Sequence, residues 1–169
     1  MSYAIIDIQG FIINKKHFFT KELAILKNDR IAHFIFKQPF QFKHLPEEYK
    51  KPVMWLIHNH HCIKWETGFV QPWKLKSILT TLTNDIEKIY VKGGEKAKII
   101  GKYIRPSKII EFPEHPALIP DEPDCMFHEI NKCYCSLKNV KFLQKTFQHV
   151  IDNPAQLDMD YSDEESIVL

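Results

Sequence analysis

The chain has 169 residues, 44% of them hydrophobic and 26% charged. Those values fit one globular domain with a real core, and they exclude wholesale disorder, collagen-like and coiled-coil chains. No apolar run approaches the ~20 residues that a membrane helix needs. The N-terminal stretch MSYAIIDIQGF has no basic n-region and its apolar run breaks at Asp7, unlike a signal peptide. The expectation is an intracellular protein, in nucleus or cytoplasm, without membrane contact. Its four cysteines are then expected to be free or metal-bound rather than disulfide-paired.

The net charge of +2 hides an asymmetry. Asp158, Asp160, Asp163, Glu164 and Glu165 crowd the last stretch with no basic residue among them, which leaves the body near +7. A mildly basic body suits contact with nucleic acid, and an acidic tail competes for the same surface. The plainer reading of 154–169 is a solvated, disordered terminus.

In chain order, Tyr3 to Ile8 reads as a buried strand, followed by Gly10 and the apolar residues Phe11 to Ile13, Phe18 and Phe19. Glu22–Leu26 and Ile31–Phe36 are two further apolar runs, separated by a turn signal at Asn28-Asp29-Arg30. Together they predict a three-stranded antiparallel meander, ended by Pro39. Leu45-Pro46-Glu47-Glu48 resembles a helix start, with acids in the first turn. Tyr49, Val53, Trp55 and Leu56 continue it at loosely helical spacing, with Trp55 expected in the core; the alternative for Trp55, Trp65, Trp73, Tyr90 and Tyr103 is stacking on unpaired bases. The cluster His58-Asn59-His60-His61-Cys62 follows and reads as a surface or loop run, since isolated histidine runs are poorly specific for metal.

Trp73 to Ile86 has the clearest helical period, through Leu75, Ile78, Leu79, Leu82 and Ile86. Ile89–Val91 is a short strand, Gly93-Gly94 a turn, 95–103 a helix and 108–112 a strand. A proline-rich loop covers 113–123, and a last helix runs from Ser136 to Ile151. The order β-β-β-α-β-α-β-α gives a mixed α/β sheet flanked by helices.

Cys125-x-x-His128 followed by Cys135 puts three metal-ligand side chains within eleven residues. Zinc takes four tetrahedral ligands from thiolate, imidazole and carboxylate, and a proline-rich loop gains most from such a staple. Cys133, two residues from Cys135, suits the ligand role as well, and buried free cysteines with a hydrogen-bonded histidine are the alternative.

The element order resembles the ribonuclease H-like fold of DnaQ-type 3′–5′ exonucleases, along nearly all of residues 3–150. That family holds two divalent metals with four acids, the first two on the first strand as Asp-x-Glu. Here Asp7-Ile8-Gln9 stands at that place, Lys96 aligns with the third acid, and Tyr134 to Asn139 with the final His-to-Asp motif. The resemblance thus implies vestigial catalytic positions at Asp7, Gln9, Lys96 and Asn139, and no two-metal hydrolysis. The Cys-x-x-His…Cys motif further resembles the Maelstrom domain, a ribonuclease H-like domain of the piRNA (transposon-silencing) pathway that has lost the exonuclease acids. It implies one structural zinc per chain on Glu22, Cys125, His128 and Cys135. The Glu22-Leu-Ala-Ile segment and the Ile-Asp-x-Gln-Gly-Phe opening also resemble short arthropod chains; that likeness implies kinship and no function.

The boundaries expected are a ribonuclease H-like domain over 1–153 and an acidic tail over 154–169. Lys92, Lys96, Lys98, Lys102 and Arg105 form the candidate nucleic-acid surface, where loss of an acid to Lys96 turns a metal site into a phosphate-attracting one. The leading expectation is a pseudo-nuclease that binds single-stranded RNA or a protein partner. The alternatives are a metal-independent single-stranded RNA nuclease using His58, His60 or His61, and an adaptor docking through the tail, where Ser162 and Ser166 flank the acids. There is no glycine-rich phosphate loop, hence no nucleotide cofactor, and no Gly-x-Ser-x-Gly or His-Glu-x-x-His motif.

Overall fold

The computed structural model describes residues 2–112, 125–128 and 133–153. The proline-rich segment and the acidic tail, with their expected loop, docking and disordered roles, lie outside the described residues. Five strands form one mixed sheet: β1 (Tyr3–Asn14), β2 (His17–Lys27), β3 (Arg30–Ile35), β4 (Lys88–Val91) and β5 (Ile109–Glu111). The helices are α1 (Glu47–Asn59), α2 (Leu75–Thr83), α3 (Gly94–Ile100) and α4 (Ser136–Asp152). The spatial order is β3-β2-β1-β4-β5. β1 pairs antiparallel with β2, β2 antiparallel with β3, and β4 runs parallel to both β1 and β5.

The meander expected from sequence is present, but its first two strands are longer. β1 runs on through Phe11–Ile13 to Asn14, and β2 starts at His17, so a tight turn at Lys15-Lys16 joins them. Asn28 and Asp29 both take positive φ, 49° and 58°, as the two-residue hairpin between β2 and β3 requires. The helix start expected at 45–48 opens α1, so two helices rather than the one in the expected element order lie between β3 and β4; its buried stripe is Val53 and Ile57.

Both faces of β1 are covered, which is why it reads as a continuous apolar run rather than an alternating one. Ala4, Ile6 and Ile8 pack with Val53, Ile57, Leu79 and Ile100 on the face of α1–α3. Ile5 packs with Val140, Leu143 and Phe147 on the face of α4. Burial of roughly 1.5–3 kcal/mol per large apolar side chain makes these two cores the main stabilising term.

The register of β1 and β2 slips between Gln9 and Gly10, leaving Lys21 without a partner residue on β1. Gly10 is needed there, because a Cβ would lie 2.1 Å from the Phe19 carbonyl oxygen. Lys21 is fully buried, and its ammonium donates to the carbonyls of Phe36 (3.0 Å), Trp65 (2.6 Å) and Thr67. It ties the bulge to the 65–67 segment. Of the tryptophans, Trp65 is core, donating its indole N–H to the Phe40 carbonyl at 2.9 Å. Trp55 corrects the sequence expectation: it is 57% exposed, because α1 turns Val53 and Ile57 inward and Trp55 away from them. No helix among the described residues is long and apolar enough to cross a membrane.

Candidate functional site

Glu22 sits on β2 beside the slipped register, Cys125 and His128 come from the 125–128 segment, and Cys135 caps the N-terminus of α4. Although Glu22 is more than 100 residues away in sequence, one ligating atom from each of the four lies within 4.8 Å of the others. Cys135 Sγ is 3.6 Å from Cys125 Sγ and 3.6 Å from Glu22 Oε1, and His128 Nε2 is 3.1 Å from Glu22 Oε1. Tetrahedral zinc, with sulfur at about 2.3 Å and nitrogen or oxygen at about 2.0 Å, has ligand–ligand edges of about 3.3–3.8 Å. The three distances lie near these values, and the four side chains could hold a metal ion.

Supporting contacts orient Glu22 and His128, as is usual behind metal ligands. His128 Nδ1–H donates to the His61 carbonyl, which aims Nε2 at the cluster. Glu22 Oε2 accepts the Ser136 N–H at 2.9 Å, and Oε1 accepts from His33 Nε2 at 2.7 Å. Burial pushes the Glu22 carboxyl up, but hydrogen bonds from His128 and His33, with the His128 charge and the Ser136 N–H, hold it down at about 2. Burial opposes a charge on His128, yet its hydrogen bonds to Cys135 and Glu22 raise it to about 10. The Cys135 thiol is pushed up, first by its contact with Cys125 and then by burial. Without metal, the cluster thus holds an imidazolium against a carboxylate.

Cys133 is not in this cluster. It is disulfide-bonded to Cys62, 71 residues away, which overturns the expectation that all four cysteines are free or metal-bound. That expectation rested on compartment alone. Here the end of α1 and the segment entering α4 are brought face to face, and the Tyr134 N–H donates to the His60 carbonyl at 2.9 Å beside the bridge. The histidine run is not one surface cluster either: α1 ends at Asn59, His58 is exposed, and His61 is fully buried against Phe11 at a ring distance of 4.7 Å. Burial, then the neighbouring His60, holds the His61 imidazole down at about 3.

A second constellation lies at the α4 side of β1. Asp7 is 1% exposed, and its Oδ1 accepts from Lys96 Nζ at 2.5 Å. Asn139 donates to Asp7 Oδ2 at 2.9 Å, and Gln9 approaches the same oxygen at 3.5 Å. The four positions aligned on the sequence thus converge around one carboxylate, drawn from β1, α3 and α4. They line a cleft of about 250 Å³ together with Lys92, His60 and Tyr134. Burial, then Lys96, lowers the His60 pKa, and Asp7 opposes this.

The five basic residues singled out on the sequence do not form one patch. Lys92 and Lys96 line the cleft, whereas Lys98 is exposed and paired with Glu95 at 2.8 Å. Lys102 lines an adjoining groove of about 460 Å³, together with Lys15 and Lys16 of the β1–β2 turn. Arg105 is exposed and lines neither of them. Lys15 and Lys16, a basic pair visible on the sequence but set aside in favour of the 92–108 run, reach this groove from the two-residue β1–β2 turn. His33 was missed, though strand alternation places it on the same face as Glu22.

No protein-family model matches the chain, and no curated protein matches it.

Proposed function

We propose that this chain is a catalytically degenerate ribonuclease H-like domain of Maelstrom type, acting in small-RNA or transposon silencing. On this reading it carries one structural zinc ion and binds single-stranded RNA along its cationic cleft. The observation that carries the proposal is the Asp7–Lys96 pair. Phosphodiester hydrolysis by two divalent cations needs several carboxylates to neutralise them. This cleft has one, already met by an ammonium and by the Asn139 amide. What remains attracts phosphate rather than magnesium. The β3-β2-β1-β4-β5 order with helices on both faces agrees with the fold assignment.

Glu22, Cys125, His128 and Cys135 are the zinc ligands on this reading. Held by these residues, a zinc ion would cross-link β2, the 125–128 segment and α4, and the two thiols would have to give up their protons to hold it. His33, Ser136 and the His61 carbonyl orient the ligands from behind.

The test is elemental analysis of the purified chain, with labelled single-stranded RNA incubated with and without EDTA. One zinc per chain, RNA binding at low salt and no cleavage are the expected results. Cleavage abolished by EDTA would return Asp7 as a catalytic metal ligand and refute the proposal. One observation favours a second reading: His60 lies in the cleft beside Lys96. EDTA-resistant cleavage lost in His60→Ala would establish a metal-independent nuclease instead.

A further inference from the structure

Two of the residues lining the cleft, His60 and Tyr134, carry flat rings, and Trp55 lies against His60 from outside the lining. The His60 ring lies 4.3 Å from the Tyr134 ring at an interplanar angle of 22°, and 6.4 Å from the Trp55 ring at 25°. The His60 ring is thus within 25° of parallel to each of its two neighbours, and one of these, Trp55, is more than half exposed.

The His60–Tyr134 pair is held from both sides. His60 closes α1 through its N–H to the Leu56 carbonyl at 3.1 Å, and Tyr134 is hydrogen-bonded to the His60 carbonyl at 2.9 Å. The Cys62–Cys133 disulfide locks the same two segments one and two residues away. A preformed platform loses less conformational entropy on binding.

The surroundings are cationic. His60 belongs both to the Asp7 cleft, with Lys92 and Lys96, and to the adjoining groove, with Lys15, Lys16 and Lys102. Flat rings beside a row of ammonium groups suit a ligand that alternates planar bases with phosphates, and every base has a π-face.

We propose that Trp55, His60 and Tyr134 form a base-stacking platform for unpaired nucleotides, with Lys96 and Lys102 taking the flanking phosphates. The inference rests on the RNA-binding reading of the same cleft and adds how the strand is gripped: through its bases at Trp55, not through its backbone alone.

The test uses the full metal-loaded chain and two fluorescein-labelled ten-nucleotide single strands, one of mixed RNA sequence and one abasic with the same phosphates. Anisotropy titrations compare wild type, Trp55→Ala, Trp55→Phe and Lys102→Ala over a range of salt. Trp55→Ala is expected to weaken binding of the base-bearing strand about tenfold, to leave the abasic strand unaffected and to keep the salt slope. Trp55→Phe is expected to retain most of the affinity, and Lys102→Ala to weaken both strands and flatten the slope. Equal affinities of Trp55→Ala and wild type for the RNA would overturn the platform while leaving RNA binding intact. Equal loss on both strands would overturn it too. Failure of wild type to bind RNA at low salt would remove the functional reading itself, and the platform with it.

Discussion

Lys21→Met is the sharpest perturbation of the fold. The lysine has no exposed surface, and its ammonium is the donor for three backbone carbonyls, those of Phe36, Trp65 and Thr67. Burial lowers its pKa, but only a three-proton ammonium satisfies all three acceptors together. Methionine keeps the length and the flexible apolar stem while removing every donor. Each hydrogen bond to a charged donor contributes about 1.5–3 kcal/mol. Against that sum stand the several kcal/mol of ammonium desolvation that the variant no longer incurs. The net expectation is a loss of about 3 kcal/mol, a large part of the roughly 5–15 kcal/mol that holds a domain folded. Urea unfolding followed by far-UV circular dichroism reads it directly, with Trp65 fluorescence as a local probe, because its carbonyl is one of the three acceptors. A midpoint within about 0.5 kcal/mol of wild type, at unchanged m-value, would show that Lys21 does not tie the bulge to the 65–67 segment.

Three more outcomes follow from the same contacts. Cys125→Ser and Cys135→Ser should each abolish stoichiometric zinc in elemental analysis, and a strong chelator should lower the melting temperature of wild type but not of either variant. Lys96→Met should cost about 1–2 kcal/mol in urea unfolding, since it strands the buried Asp7 carboxylate while Lys96 itself keeps 30% of its side chain in solvent. Asp7→Asn in the same background should recover most of that loss, and a double-mutant cycle with no coupling would show that the pair is not an interaction of consequence. Replacing Cys62 and Cys133 together by serine should lower stability by about 4 kcal/mol, the loop-entropy value for a bridge closing some 71 residues. An unchanged urea midpoint would mean that the bridge does not form in the purified protein.

Much of the architecture was legible because its signals are local. The apolar run at β1, the Asn28-Asp29 turn, the period of α2 and the stripe of α4 are each set by neighbours within a few residues. Cys125 and His128 were legible as a candidate ligand pair for the same reason, since ligand spacing is a local property, whereas spacing alone left Cys133 and Cys135 equivalent. Glu22 and the four positions around Asp7 were placed by family likeness, not by any pattern within this chain.

What the sequence left open was decided by surfaces meeting across the fold. Cys133 and Cys135 are chemically alike, and only the approach of the α1 terminus assigns the first to Cys62 and leaves the second facing Glu22. Trp55 and Trp65 are the same residue type ten positions apart. One lies on the outward side of α1, and the other is enclosed by Phe11, Phe19, Phe40 and Phe42. Lys96 as a counter-charge, His33 as a supporting donor and Lys21 as a buried knot all depend on partners 11 to 89 residues distant. Composition and period determine which elements form, because those depend on the chain's own short-range chemistry. Which side chains share a site depends on sheet order and helix placement, and the packing of both faces of β1 fixes these.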